Sequence, residues 1–274
     1  MNTEPKKFNL NKYFALTKAS ILEELSFRAN YLVTFLGNLI YLCVIYFLWK
    51  AIYNSSPHDI VNGMTFSDTF IYLVLASAMF NFLETYVVWI MAKDIQTGKI
   101  VVDLIKPMNY QLYTFFYFSG IYITYFFITF MPTFLIVLFF TWGKIAIGIN
   151  LVFYVLSLIL ALIINFCIDF LVGTICLYTE SIWGTNIMKE VVVLLLSGAT
   201  IPLAFFPETL RKIVEMLPFQ AIYNLPLTIL TSNNTDPSGY FQAIAIQFFW
   251  VVVMIILSAL FWKKSIKVIT VNGG

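Results

Sequence analysis

Two acidic residues lie inside long apolar runs, where a charged side chain is costly. Each follows an asparagine by about one helical turn, Asn81 before Glu84 and Asn165 before Asp169. If the two carboxylates lie close together, they could form a general acid and base pair, or they could line a polar cleft that takes a substrate. The alternative is a structural role, in which each carboxyl group is protonated or hydrogen-bonded between helices.

The other reactive side chains give little support to an enzyme. His58 is the single histidine, which excludes a site with two histidine ligands. The three cysteines, Cys43, Cys167 and Cys176, lie in apolar runs and show neither disulfide nor metal-ligand spacing. No Gly-x-x-x-x-Gly-Lys-[Ser/Thr] phosphate loop is present, because both Gly-Lys pairs are followed by isoleucine. We therefore expect no catalytic residue, no metal and no cofactor on this chain.

The composition indicates a membrane protein. Of the 274 residues, 61% are hydrophobic and 11% are charged, and the mean hydropathy is +0.88, whereas soluble domains contain about 25% charged residues. The net charge of +2 does not indicate a nucleic-acid partner. A spanning helix needs about 20 apolar residues, so we predict an all-α membrane protein. Its six transmembrane helices are expected at 31–52, 70–91, 115–142, 151–178, 191–206 and 240–262.

These spans set the depth of the two carboxylates. Glu84 lies eight residues before Ala92, where the second span ends, and Asp169 lies nine before Tyr178, where the fourth ends. With a rise of about 1.5 Å per residue, both lie about 12–14 Å from the same membrane surface. A charge there costs roughly 2.5–3.5 kcal/mol. We expect both side chains to face the protein interior, and equal depth permits a shared cleft with the two asparagines one turn deeper.

The lysines and arginines predict the orientation. With a cytoplasmic N-terminus, twelve of the 16 lie on the cytoplasmic side and four on the outer side, so both termini are expected inside. The twelve include Lys189, placed in the turn between the fourth and fifth spans, where Glu180 and Glu190 complete an interfacial charge cluster. We predict one transmembrane domain over 1–274. Its parts are an N-terminal segment 1–30, six spans within 31–262, a cytoplasmic loop 92–112, an external segment 198–239 and a tail 263–274.

The loop between the second and third spans predicts a short helix. Gly98 can end the incoming helix, and Pro107 prevents a helix from continuing past it. In the two turns between them, apolar and charged residues fall on opposite faces. The apolar face comprises Ile100, Val101, Leu104 and Ile105, and the charged face comprises Lys99, Asp103 and Lys106. Such a rigid element suits contact with a separate motor protein, and an ordinary amphipathic turn at the membrane surface is the alternative.

Segment 198–239 predicts an outward-facing break before the last span. Gly198, Pro202 and Pro207 interrupt an apolar run at membrane depth, with Phe205 and Phe206 between the prolines, so the freed backbone groups need protein or water. The fifth span should end near Pro202. The stretch 208–217 then repeats apolar residues at helical spacing, and we expect it to lie along the membrane with these residues buried: Leu210, Ile213, Val214 and Leu217.

The N-terminal segment is also patterned as an amphipathic helix. One face carries apolar residues and the charged residues fall largely off it. This pattern favours an interfacial helix on the cytoplasmic leaflet, in contact with membrane lipid, over a solvated tail. The apolar residues are Leu10, Phe14, Ile21, Leu22 and Leu25.

Together these features resemble the six-helix membrane subunits of ABC-2 type exporters. The resemblance rests on the amphipathic N-terminal segment, the six spans and two motifs in the correct order. The motifs are Asp103-Leu104-Ile105-Lys106-Pro107 and Gly198…Pro202…Pro207…Leu217-Pro218-Phe219. The loop motif is most similar to a bacterial subfamily with Leu-x-Lys/Arg-Pro at this point. The resemblance implies a type V exporter-like fold in the bacterial cell membrane, with a re-entrant segment before the last span.

The same resemblance implies partners and residue roles. The permease would work with a second permease, identical or a paralogue, and with ATP-binding subunits that carry ATP and Mg. The residues that would contact the ATPase are Lys99, Ile100, Asp103, Leu104, Lys106 and Pro107. Those that would form an external gate are Gly198, Pro202, Phe205, Phe206 and Pro207. The candidate pathway residues are Glu84, Asp169, Asn81 and Asn165.

The expected function is the membrane part of an ATP-driven exporter for an amphipathic or hydrophobic substrate such as a drug, a peptide or a lipid. An ion-coupled secondary transporter would require inverted repeats with paired broken helices, and the sequence shows one broken segment and no repeat. An intramembrane enzyme would require clustered catalytic polar residues, and Glu84 with Asp169 as an acid and base pair is the less favoured alternative of this kind. An ATP-binding partner distinguishes the first class from the other two.

Overall fold

The computed structural model describes residues 10–84, 86–141, 145, 147–179, 182–231 and 237–268, without the side chains of residues 28 and 29. Within these ranges nearly all of the chain is helical. The helices are α1 Leu10–Glu24, α2 Arg28–Ser55, α3 Phe66–Leu83, α4 Val87–Gln96, α5 Lys99–Ile105, α6 Tyr110–Tyr125, α7 Met131–Phe140, α8 Ile149–Ile175, α9 Ile182–Leu196, α10 Glu208–Val214, α11 Asn224–Thr231 and α12 Pro237–Ser265.

Short irregular elements connect these helices. A π-helical turn, Phe126–Phe130, makes α6 and α7 one continuous stretch, and 3-10 turns lie at Leu203–Phe205, Pro218–Ala221 and Ile266–Val268. The antiparallel strands β1 Ile60–Val61 and β2 Met64–Thr65 form a small hairpin. Thr65 and Asp68 then form a capping box, in which each side chain accepts a hydrogen bond from the other's backbone N–H, and this box begins α3.

Five helical stretches of the described chain are long and apolar enough to cross a membrane. They are Asn30–Ser55, Phe66–Gln96, Tyr110–Phe140, Ile149–Ile175 and Pro237–Val268. They correspond to the first, second, third, fourth and sixth predicted spans. The hydrocarbon core is about 30 Å thick and requires about 20 helical residues, which each of these stretches exceeds. The protein is therefore a multi-pass membrane protein.

The fifth predicted span differs from the structure. Its helix, α9, has 15 residues and ends at Leu196, so it is about 22 Å long at the α-helical rise. The predicted end near Pro202 is wrong, because Gly198 adopts a φ of 82° and turns the chain out of the helix first. The Ser197 carbonyl accepts a hydrogen bond from the Asn224 backbone N–H at 3.1 Å, which attaches this end of α9 to α11.

The second predicted span is broken near its middle. The helix α3 ends at Leu83 and α4 begins at Val87, and Glu84 between them has an extended backbone. The prediction of a continuous helix over 70–91 is therefore wrong. A helix end at membrane depth requires polar partners, and the Asn165 side chain supplies one by donating to the Leu83 carbonyl at 2.8 Å.

The helix α1 packs along α6 through small and polar side chains. Tyr13, Thr17 and Ser20 are buried there, and Thr17 donates a hydrogen bond to the Phe116 carbonyl at 2.7 Å. Gly120 permits this approach, since a Cβ at that position would lie 2.6 Å from the Thr17 carbonyl oxygen. The predicted apolar face points away from the protein, with exposed side chains at Leu10, Phe14, Leu22 and Leu25. This face is available to lipid.

The helix α8 forms the centre of the core. Most of its residues from Ser157 to Thr174 are buried, and it packs against α4, α11 and α12. Gln247 of α12 donates hydrogen bonds to the Ser157 carbonyl at 3.2 Å and to the Ala221 carbonyl at 2.8 Å. One buried amide thus joins α8, α12 and the turn before α11. The broken segment is consequently anchored to the most buried helix of the protein.

Candidate functional site

Three charged residues from three helical elements meet inside the protein. Lys189 Nζ lies 2.6 Å from Glu84 Oε1 and 3.0 Å from Asp169 Oδ1. The exposed fractions of these side chains are 3% for Lys189, 0% for Asp169 and 18% for Glu84. Both carboxylates therefore lie in the protein interior, and one ammonium group pairs with both of them. We call these three residues the charge cluster.

Each member of the charge cluster is positioned by its own element. Glu84 ends α3 at the break, Asp169 lies in the buried part of α8, and Lys189 lies in the middle of α9. Asn165, one turn before Asp169, donates to the carbonyl at the break and lies 3.5 Å from Asp169 Oδ2. The structure thus brings three of the four predicted pathway residues to one place.

Lys189 is a buried charged residue that lies elsewhere than the sequence predicts. Its assignment to a cytoplasmic turn is wrong, because α9 extends for seven residues on both sides of it. The sequence does hold a signal, since Asn186, Lys189 and Val193 fall at i, i+3 and i+7 and are all buried. Lys189 therefore belongs to the buried face of a helix and carries no information about orientation. Glu190, on the next position, accepts a hydrogen bond from Asn186.

A cavity of about 660 Å³ lies beside the charge cluster, and we call it the glutamate cavity. Four of its described lining residues carry a carboxylate and none carries a basic group; the four are Glu23, Glu24, Glu84 and Glu190. The remaining wall is largely aromatic, with Phe27, Phe80, Tyr86, Trp89, Tyr117 and Tyr125. Burial raises the pKa of the Glu24 carboxyl, and a hydrogen bond with Tyr125 partly offsets this increase. Glu84 is the residue that belongs both to this cavity and to the charge cluster.

A second cavity of about 390 Å³ adjoins the first, and we call it the middle cavity. The two share the lining residues Thr34, Phe80 and Asn81, so they lie side by side. The middle cavity reaches Ala199 and Thr200, just past the end of α9. Of the four predicted pathway residues, Asn81 lines both cavities and Glu84 lines the glutamate cavity. Asp169 and Asn165 are almost fully buried and support the break instead.

The predicted gate residues surround the turn after α9. Pro202 and Leu203 line a far cavity of about 760 Å³, whereas Ala199 and Thr200 line the middle cavity. The segment between Gly198 and Ala204 therefore separates two cavities. A Cβ at Gly198 would lie 3.0 Å from the Tyr72 hydroxyl, and Phe205 packs edge-on against Trp49 with ring centroids 4.7 Å apart.

The next part of this segment departs from the prediction. The helix α10 forms as predicted, but its apolar residues are not all buried. Val214 is 1% exposed, whereas Leu210 and Ile213 are 44% and 55% exposed. Leu217, Phe206 and Pro207 are partly or fully exposed as well. The prediction that Leu210 and Ile213 pack against the spans is wrong, because α10 ends after seven residues and only its last residue, Val214, is buried.

The loop helix α5 is present where the sequence predicts it, but with a different face inward. Ile100 and Asp103 are buried, and Asp103 pairs with Lys106 at 2.6 Å. This hydrogen bond raises the pKa of Lys106, so the lysine stays charged at physiological pH. The two predicted faces therefore do not match the buried and exposed sides of α5, because Asp103 of the charged face is buried and Ile105 of the apolar face is exposed. Gly98 lies directly before α5 with a φ of 72° and turns the chain between α4 and α5.

Two apolar residues of α5 are left exposed. Val102 is 61% exposed and Ile105 is 78% exposed, and Pro107 beside them is also exposed. Lys99 is fixed on another side of the helix by an ion pair with Asp94 at 3.1 Å, and the hydrogen bond between them raises the pKa of Lys99. We call Val102, Ile105 and Pro107 the loop surface.

Comparison with known proteins identifies the family. A family model described as ABC-2 family transporter protein matches residues 39–273. The chain is a member of the ABC-2 family. No curated protein matches it. The matched residues include the charge cluster, α5 and the segment after α9, whereas α1 precedes them.

Family membership gives the ABC-2 chain its general role. It is a membrane permease of an ABC transporter, and such a permease associates with an ATP-binding subunit. This assignment agrees with the missing phosphate loop in the sequence. The sequence predicts one broken membrane segment, and this number argues against a secondary transporter. The number is wrong, because the second span is broken too. For this ABC-2 permease it is the family match that decides against the secondary transporter.

Proposed function

We propose that this permease exports an amphipathic molecule along the glutamate cavity and the middle cavity, with energy from ATP hydrolysed on a separate subunit. The observation that carries the proposal is that these two cavities lie side by side and that the middle cavity ends at the turn after α9. The segment 198–207 would then form the external gate, because it separates the middle cavity from the far cavity. The loop surface would bind the ATP-binding subunit.

The lining of the glutamate cavity favours a cargo with a positive charge. Aromatic rings attract cations through their faces, and four carboxylates among the described lining residues produce a negative potential. Lys189 neutralises part of this charge, because it pairs with Glu84, one of the four carboxylates. A lipophilic molecule with a cationic group therefore fits this cavity better than a neutral or anionic one.

Two ions of the same shape and opposite charge test this substrate class. Purified permease should bind radiolabelled tetraphenylphosphonium in equilibrium dialysis, and it should bind tetraphenylborate roughly tenfold more weakly after subtraction of empty micelles. Changing Glu24→Gln together with Glu190→Gln should weaken phosphonium binding by about tenfold. Glu208→Gln, at an exposed carboxylate of α10, is the matched control and should leave binding unchanged. Equal binding of both ions by the wild-type protein would rule out a cationic cargo.

The proposal also fixes the orientation, with both termini and α5 cytoplasmic and α10 outside. With Lys189 removed from the count, the remaining lysines and arginines still favour this orientation. In a background without native cysteines, Thr209→Cys on α10 should react with an impermeant maleimide on intact cells. Gln96→Cys at the end of α4 should react only after the membrane is opened. The reverse pattern would invert the topology and remove the proposed route.

The partner permease is either an identical chain or a paralogue. Exporters of this kind assemble from two membrane subunits, and the resemblance of the loop motif to the bacterial subfamily supports the same arrangement here. The exposed apolar side chains along α2, including Leu32, Ile40 and Phe47, are available to lipid or to that second permease.

A further inference from the structure

Lys189 lies where three structural units of the permease meet. It pairs with Glu84 at the break in the second span and with Asp169 in the central helix α8, and it belongs to α9 itself. The three side chains are held by different elements, so a shift of one element relative to the others must change at least one pair. Two chains of contacts connect the charge cluster with other parts of the permease.

The first chain of contacts leads from α5 to the charge cluster. The ion pair between Lys99 and Asp94 fixes α5 to the last turns of α4. At its other end α4 is separated from α3 by the break at Glu84, whose backbone is extended, and a helix that begins anew at Val87 can move separately from α3. At its side, α4 contacts α8 through Met91, whose Sδ lies 2.8 Å from the place of a Cβ on Gly173. A displacement of α5 would thus be passed to α4 and would slide α4 along α8 at the charge cluster.

A second connection leads from Lys189 to the segment after α9. Seven residues of helix, about 10 Å, separate Lys189 from Leu196. The end of α9 is attached to α11 through the hydrogen bond from Asn224 to Ser197, and Gly198 packs against Tyr72. A rotation or shift of α9 therefore moves the segment that separates the middle cavity from the far cavity.

We infer that Lys189 is a positioning residue that transmits motion between α5 and the external segment by exchanging its pairing between Glu84 and Asp169. One ammonium group with two carboxylates has two arrangements in which it stays paired, so a small shift of α4 changes the partner without leaving Lys189 alone. A packed interior with two such arrangements responds as a switch. This inference rests on the proposed function, because it takes the ATP-binding subunit as the source of motion at α5.

The test uses a permease in which all three charges are removed together. A variant with Lys189→Met, Glu84→Gln and Asp169→Asn leaves no buried charge unpaired, so it avoids the folding defect of a single replacement. Native cysteines are replaced, and Thr209→Cys on α10 reports on the external segment. The complex with the ATP-binding subunit is placed in lipid nanodiscs, and the rate of maleimide labelling is measured with and without ATP and vanadate.

In the wild-type permease, ATP and vanadate should change the labelling rate roughly threefold or more. In the triple variant the ATP-binding subunit should still copurify and hydrolyse ATP, but the labelling rate should change by less than about 1.3-fold. The single variant Lys189→Arg keeps a cation between the two carboxylates, so it should show at least about half of the wild-type change in labelling rate. A purely structural cluster would lower stability without removing the response, so these measurements separate the two roles.

A buried polar contact elsewhere is the matched control. Gln111 donates to Ser258 at 2.8 Å between α6 and α12, and Gln111→Leu with Ser258→Ala should keep the wild-type response. An unchanged response in the triple variant would overturn the inference, as would a wild-type complex that hydrolyses ATP without any external change. Copurification of the ATPase is scored first, and it depends on the loop surface. If the ATPase does not copurify with the wild-type permease, the proposed function fails. If the ATPase copurifies but the triple variant keeps the labelling response, only the inference about Lys189 fails.

Discussion

Replacing Val102 and Ile105 with aspartate should lower copurification of the ATP-binding subunit by at least about tenfold. These two side chains are the most exposed apolar residues of α5, at 61% and 78%. A contact of such residues with a partner buries them, and a carboxylate in the same place loses its hydration without gaining a cation. The change lies outside the five long apolar stretches, so membrane insertion should be unaffected. The measurement is the ratio of ATPase to permease after affinity purification.

The control for this prediction is Ile60→Asp. Ile60 lies in the β1–β2 hairpin and is 61% exposed, like Val102, but it is far along the chain from α5. It should retain the wild-type ratio of ATPase to permease. Variants of Asp103 are unsuitable here, because its buried carboxylate holds Lys106 and its loss disturbs α5 itself. Equal recovery of the ATPase with the double variant would show that the loop surface is not the contact.

Replacing Lys189 alone with methionine should destabilise the permease strongly. Two carboxylates would remain buried without a cation, and removing one partner of a buried ion pair costs about 3–5 kcal/mol in soluble proteins. The measurable result is a lower yield of monodisperse permease and a lower midpoint in a thermal unfolding assay in detergent. Lys189→Arg should recover most of this loss, because the guanidinium can pair with both carboxylates.

The triple replacement of the charge cluster gives the decisive comparison for stability. It removes the unpaired carboxylates, so it should be more stable than Lys189→Met although it carries two further substitutions. Lys212→Met serves as the control, because its pair with Glu208 is exposed on both sides and contributes little. A Lys189→Met permease as stable as wild type would show that the buried pairs are not formed as described.

The sequence predicts the elements that depend on local pattern. Apolar length locates the long helices, and the interval from Gly98 to Pro107 locates α5, because glycine and proline act directly on the backbone. The face that α5 turns inward could not be predicted in this way. Two turns allow several choices of buried face, and the choice is made by the ion pair of Asp103 with Lys106 and by the contacts of Ile100 with the core.

The charge cluster depends on tertiary contacts that no local pattern contains. Equal depth brings Glu84 and Asp169 together in the prediction, but Lys189 is placed outside the membrane, because a count of positive charges treats each lysine as a surface residue. The break at Glu84 also depends on tertiary contacts, so the sequence does not predict it. Neither glycine nor proline marks it, and the residue that makes it tolerable, Asn165, is distant in sequence. The early end of α9 at Gly198 was missed because two prolines nearby gave the stronger signal.

We expect this ABC-2 permease to be moved by a separate ATP-binding subunit bound to its loop surface. Purification from native membranes under mild conditions, followed by mass spectrometry and an ATP hydrolysis assay, measures this association itself. A protein with a Gly-x-x-x-x-Gly-Lys-[Ser/Thr] loop should copurify in roughly equal amount with the permease, and the preparation should hydrolyse ATP. Both should be lost with Val102→Asp and Ile105→Asp. Recovery of the intact permease without any such protein would refute the proposed mechanism.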